Sequence, residues 1–170
     1  MPALDRKSVE IIPEIAAGIP EQMDEAGTVW NIKIRDDVTW SNGDPINADT
    51  FIYSLKMCLD PLLLNSRASI TANYFIEIVN AADYFKQGGE GMPKVAWEDV
   101  GIKKVDDFTI QIVTTVPYAA DDVMRHFNMR STKPVHEGLY EAGMNESRTA
   151  TTYGTELSSF LSCGPWTFTE

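Results

Sequence analysis

The sequence predicts an α+β fold in which helices mix with a small, mainly antiparallel sheet. Three observations carry that expectation. Residues 28–35 alternate between two faces. Residues 100–104 and 108–114 read as two strands joined by the short polar turn Val105-Asp106-Asp107. Apolar residues recur at helical spacing behind Asn47. No repeating βαβ rhythm runs through the chain, which argues against a doubly wound parallel sheet.

The elements follow in order. Residues 8–23 mix short apolar groups with Pro13 and Pro20 and predict an irregular segment with a short helix around 15–18. In 28–35, Thr28, Trp30, Ile32 and Ile34 share one face of a strand and Val29, Asn31, Lys33 and Arg35 the other. Asn42-Gly43 signals a turn. Asn47 is a helix N-cap, followed by the stripe Ala48, Phe51, Ile52, Leu55, Cys58 and Leu59. Asp60-Pro61 stops that helix, because the residue before proline disfavours helical geometry. A second helix is expected over 69–85, with Phe75, Ile78, Val79, Ala82 and Phe85 as its apolar stripe, and Gly88-Gly89-Glu90-Gly91 forms a mobile surface loop after it. In the hairpin, Phe108, Ile110 and Ile112 should face the core. Pro117 suits the first turn of a helix that buries Ala120, Val123, Met124 and Phe127. Further helices are expected near 135–142 and 152–161, and 164–170 alternates like a strand.

Length and composition fit one domain spanning 1–170. Hydrophobic residues make up 44% of the chain, and four tryptophans, six tyrosines and seven phenylalanines can anchor a core. The net charge of -11 repels phosphate backbones and anionic headgroups, which argues against nucleic-acid and membrane-surface binding. Cys58 and Cys163 form no CxxC or Cys/His cluster, so no zinc site is expected and two buried free thiols are. No run approaches the roughly 20 apolar residues of a spanning helix. The start, Met1-Pro2-Ala3-Leu4-Asp5-Arg6, lacks the apolar region of a signal peptide.

Trp30-Asn31-Ile32-Lys33-Ile34-Arg35-Asp36-Asp37-Val38-Thr39-Trp40-Ser41-Asn42-Gly43-Asp44-Pro45 resembles the signature stretch of the peptide-binding solute receptors of ABC importers, extracellular solute-binding protein family 5. The run from Asn47 to Lys56 resembles the family's Thr-Ala-Glu-Asp-Phe-Val-Tyr-Ser-Trp-Lys. Leu59-Asp60-Pro61, the 100–113 stretch, Pro134-Val135-His136 and Ser162-Cys163-Gly164-Pro165-Trp166 follow in the family's order. Thr50 departs from the family by replacing an acidic residue, which should weaken the reciprocal capping box.

The resemblance implies a two-lobed, periplasmic-binding-protein-like (type II) fold that closes on its ligand. This chain would supply part of the first lobe, the extra subdomain inserted there. The second lobe and any signal or lipid-anchor segment would lie outside it. The implied function is the substrate-binding component of an ABC-type importer, capturing peptides or similar small solutes outside the membrane. Partners would be the solute and the ABC permease, with membrane contact only through an anchor or that permease. The setting would be extracellular, periplasmic or a cell-surface lipoprotein. A non-transport sensor or structural receptor domain is the alternative, and a hydrolase a further one.

No cofactor, metal ligand set or catalytic constellation is expected. His126 and His136 have no HExxH spacing and read as surface or packing residues. The pairs Asp36-Asp37, Asp106-Asp107 and Asp121-Asp122 suit turns and a helix N-terminus. Trp30 reads as core, whereas Trp40 could also stack on a ligand. The family resemblance places the ligand-facing stretch after Asp60-Pro61. Asn65, Arg67, Ile70 and Tyr74 are the candidate binding residues, with Arg67 able to pair with a ligand carboxylate. The competing reading of Arg67 is a solvated arginine at a helix start.

Overall fold

Strands β1 (Glu21–Gln22), β2 (Val29–Lys33), β3 (Ile102–Asp106) and β4 (Thr109–Val113) form one antiparallel sheet in the order β1-β2-β4-β3. The computed structural model describes residues 13–89, 91–92 and 94–164. The expectations for 1–12, for Glu90 and for the strand-like run from Pro165 onward lie outside the described residues.

Register follows the alternation. Trp30 pairs with Ile112 and Ile32 with Ile110, so the apolar residues of both central strands fall on one face. Trp30, Ile32, Ile110 and Ile112 are all buried, and the Trp30 indole N–H donates to the Gly27 carbonyl at 3.1 Å. On the other face the Gln111 amide donates to Asn31 Oδ1 at 3.1 Å.

Of the helices α1 (Ala48–Leu59), α2 (Ala68–Asn73), α3 (Ala81–Lys86), α4 (Ala120–Phe127) and α5 (Glu137–Ala142), α1 packs against β3 and β4, and α2, α3 and α5 pack on α1. Leu55 and Leu59 of α1, Ala68 and Ala72 of α2 and Val123 of α4 complete the apolar core with the strand residues. No helix among the described residues is long and apolar enough to cross a membrane.

Helix α1 begins and ends where the sequence predicts. Asn47 Oδ1 accepts from the Thr50 backbone N–H at 3.2 Å, and Thr50 Oγ1 accepts from the Asn47 N–H at 3.3 Å. The capping box is therefore complete, contrary to expectation, because a hydroxyl accepts where a carboxylate usually does. The Asn-Gly turn is also present: Gly43, at φ +93°, donates to the Trp40 carbonyl at 2.9 Å.

The single helix expected over 69–85 is two short helices. Between them Ile78 bridges Thr114, and Val79 donates to the Val113 carbonyl at 3.0 Å while accepting from Gly101 at 2.8 Å. Those backbone groups extend the sheet and cannot also serve a helix. Asn80 turns the chain at φ +58°. The break rotates the stripe: Ile76 is fully buried and Phe75 is 37% exposed.

Other expectations also yield to local geometry. A register shift between Lys104 and Asp106 pairs Asp106 with Thr109, which leaves Phe108 in the turn and largely outside the core. Residues 15–18 are an irregular run of bends with no helix, because Ala16 bridges Ile34 and Arg35 donates to the Ile15 carbonyl at 2.9 Å. Helix α4 starts at Ala120, three residues beyond Pro117, where the Asp122 carboxylate accepts from the Ala119 N–H at 3.2 Å. Only one 3-10 turn, Leu157–Ser159, stands in 152–161. There, Thr155 Oγ1 and Ser159 Oγ donate to the Thr152 carbonyl and replace helical bonding. Both cysteines are free; Cys58 is buried, but Cys163 is only half-buried.

Candidate ligand-binding site

Four residues after Asp60-Pro61 were candidates, and the fold separates them. Arg67, which precedes α2, and Ile70 line one surface hollow with Asn128, Met129, Arg130 and Ser131. Asn65 does not line it. Its side chain accepts from the Arg67 backbone N–H at 2.9 Å and its carbonyl from Ala68 at 3.0 Å, so it shapes the turn that presents Arg67. Tyr74 sits at the far end of α2, 62% exposed, with its ring edge-on to Phe75 at 4.8 Å.

The far wall of the hollow comes from the 3-10 turn Arg130–Thr132. No local pattern marks these residues as a site, since their placement depends on a long-range contact. Thr71 Oγ1 donates to the Ser131 carbonyl at 3.3 Å. The Thr71 carbonyl in turn accepts from His126 Nε2 at 2.9 Å. Thr132 Oγ1 lies 2.9 Å from the Met129 carbonyl and 3.0 Å from that of Phe127, tying the turn to the end of α4. His126 is thus a packing residue. Burial pushes its pKa down to about 4, against the hydrogen bond to Thr71.

Cys58 backs the same region, its Sγ 3.2 Å from Thr71 Oγ1. Burial pushes its thiol pKa up, while the Thr71 hydroxyl and the Arg67 charge oppose that shift. A buried thiol of raised pKa is a poor nucleophile.

Other polar clusters hold the fold. Glu141 accepts from both terminal nitrogens of Arg148 at 2.8 Å and from the Tyr53 hydroxyl at 2.6 Å. Arg148, then Tyr53, lower its pKa to about 2. This joins α5 to α1. His136 Nδ1 caps α5 by accepting from the Leu139 N–H at 3.2 Å, while Nε2 lies 2.8 Å from Asp44. Trp40 is 3% exposed and packs edge-on to His136, so it is core rather than a stacking platform. Neither histidine is hydrogen-bonded to a serine or cysteine side chain among the described residues.

A second groove of about 170 Å³ runs between residues 13–20, the sheet and α4. Its lining is mainly apolar, including Ile32, Ile34, Val123 and Phe127.

Residues 10–170 match the family of bacterial extracellular solute-binding proteins, family 5 Middle. The periplasmic oligopeptide-binding protein OppA of Haemophilus influenzae is 33% identical over 91 residues, covering 52% of this chain and 15% of the relative. The dipeptide-binding protein DppE of Bacillus subtilis is 26% identical over the whole chain and 28% of its own length. Among solved structures, Listeria monocytogenes OppA bound to peptide superimposes with a TM-score of 0.69 at 29% identity, over 89% of this chain and 26% of that one. The chain therefore spans well under a third of the length of these relatives. The α+β class and the periplasmic-binding-protein-like (type II) architecture are borne out. This chain belongs to the bacterial extracellular solute-binding proteins of family 5.

Proposed function

We propose that this chain is part of the first lobe of a receptor that captures peptides, or similar small solutes, outside the membrane and delivers them to an ABC permease. The observation that carries this reading is the family match along 10–170, over which the motifs run in order. The two relatives described above are named as oligopeptide- and dipeptide-binding proteins. Capture works by closure of two lobes, with backbone hydrogen bonds that tolerate varied side chains. The receptor works in the periplasm or on the cell surface as a lipoprotein, and it performs no catalysis. Asn65, Arg67, Ile70 and Tyr74 lie along the edge of the cleft, and Arg67 meets the ligand directly.

Native mass spectrometry of the receptor that carries this chain, purified from its host, tests the proposal. A ladder of bound peptides is expected. Protein that is empty, or loaded only with a non-peptide solute, refutes peptide capture. Arg67→Ala should weaken peptide affinity, and unchanged affinity removes Arg67 from the site. The isolated chain should show no saturable peptide binding, because half of the cleft lies outside it.

A further inference from the structure

Two arginines distant in sequence share the hollow beside α2. Arg67 enters from the turn after α1 and Arg130 from the 3-10 turn after α4. Two other arginines are gripped by carboxylates, whereas Arg125 on α4 also has no salt bridge among the described residues. Arg35 is held by both oxygens of Asp37 at 2.7 and 2.8 Å, and Arg148 by both oxygens of Glu141. Arg67 and Arg130 have no salt bridge among the described residues. The chain carries 25 acidic residues, yet none lines this hollow.

Both arginines are exposed, and an anion held between two guanidiniums that line one hollow is attracted by both charges. The walls cannot move apart easily, since Thr71 bonds Ser131, His126 bonds Thr71 and Thr132 ties the turn to α4. Ile70 and Met129 contribute apolar surface, which strengthens any charge pairing formed against it. Ser131 also lines the hollow, and its Oγ is buried with no hydrogen-bond partner among the described residues. A buried hydroxyl without a partner is unfavourable, and a rotation about the Ser131 side chain that opens it to the hollow would let an incoming acceptor satisfy it.

We infer that Arg67, Arg130 and Ser131 form a carboxylate-binding subsite, which makes the receptor selective for peptides presenting a carboxylate there. This rests on the peptide-receptor reading above. Each guanidinium offers planar paired donors that match a carboxylate, and Ser131 adds a neutral donor. Neutral and basic peptides still bind through their backbones but lack this contact. Lysine at the subsite position is rejected, since it would bring a third positive charge.

Calorimetry on the receptor that carries this chain tests the inference with alanine-based, N-acetylated and C-amidated pentapeptides. One Glu is moved through each position, and each peptide has a Gln counterpart. A free-acid all-alanine peptide is compared with its amide. At one position Glu should bind about tenfold or more tighter than Gln at low salt, with the advantage shrinking as salt rises. Arg67→Gln/Arg130→Gln should reduce that advantage to less than about twofold, whatever it does to the affinity of Gln peptides. Ser131→Ala should reduce it in part. If the free acid instead shows the arginine-dependent advantage, the subsite takes the terminal carboxylate, which also supports the inference. An unchanged urea-unfolding midpoint shows that the variants fold. Equal binding of all acidic and neutral peptides, or an advantage that survives both substitutions, overturns the inference and leaves peptide capture standing. Failure of every peptide to bind overturns peptide capture and the inference together.

Discussion

Lowering the pH from 7 to 5 should destabilise this protein through a single buried imidazole. His126 is fully buried on α4, with Nε2 bonded to the Thr71 carbonyl and Nδ1 without a partner among the described residues. Its folded pKa is about 4, and in the unfolded chain it returns to about 6.5. Between those values the unfolded state binds a proton that the native state refuses, so stability rises with pH across the window. The contribution is complete above about pH 6.5 and is lost as pH falls towards 4. At pH 5 the unfolded chain gains about 2 kcal/mol relative to pH 7. The assay is urea denaturation followed by tryptophan fluorescence at pH 7, 6 and 5, on the native protein and on His126→Gln. The glutamine can still donate to Thr71 but cannot titrate. His136 and every carboxylate remain in both proteins, so the difference between their pH profiles isolates His126. The native profile should fall more steeply, by about 2 kcal/mol. Parallel profiles would mean that the imidazole is protonated in the fold, and the packing argument would be wrong.

Three further outcomes are expected. Gly101→Ala drives a Cβ into the Val113 carbonyl oxygen and to 3.1 Å from Val79 Cβ. It should destabilise by about 2–3 kcal/mol at an unchanged denaturant slope, and a loss within error would show that this strand contact is loose. Asn47→Ala removes the acceptor for Thr50 at the start of α1 and should lose about 1 kcal/mol by thermal or urea unfolding; an unchanged midpoint would argue against the cap. Arg148→Gln should raise the Glu141 carboxyl pKa from about 2 towards the ordinary range, read by carbon-13 NMR titration of the side chain. With the depressed carboxyl, the stability this group contributes is present above pH 4.5 and lost as pH falls towards 2. Arg148→Gln should flatten that acid limb, and an unmoved titration would place the cause of the shift elsewhere.

Signals contained within a few neighbouring residues were legible in the sequence. The alternation of 28–35 set which residues of β2 face the core, because successive side chains on a strand point to opposite sides. Asn47 and Asp60-Pro61 bounded α1 because a cap and a proline act on the backbone within one turn. The family resemblance put forward Asn65, Arg67, Ile70 and Tyr74 as binding residues, and of these the fold brings Arg67 and Ile70 to one hollow. Asn65 shapes the turn, and Tyr74 lies at the other end of α2.

Tertiary structure decided the rest. Residues 69–85 carry a helical apolar stripe, yet Ile78 and Val79 give their backbone groups to Thr114, Val113 and Gly101, and the helix breaks. Phe108 reads as an inward strand residue until the pairing of β3 with β4 shifts by one residue. Arg130 and Ser131 have no sequence mark at all. They share a hollow with Arg67 only because Thr71 and His126 bond across the fold. Local propensity sets what a segment can form alone, but hydrogen-bond partners and charges far along the chain settle which of those possibilities survives.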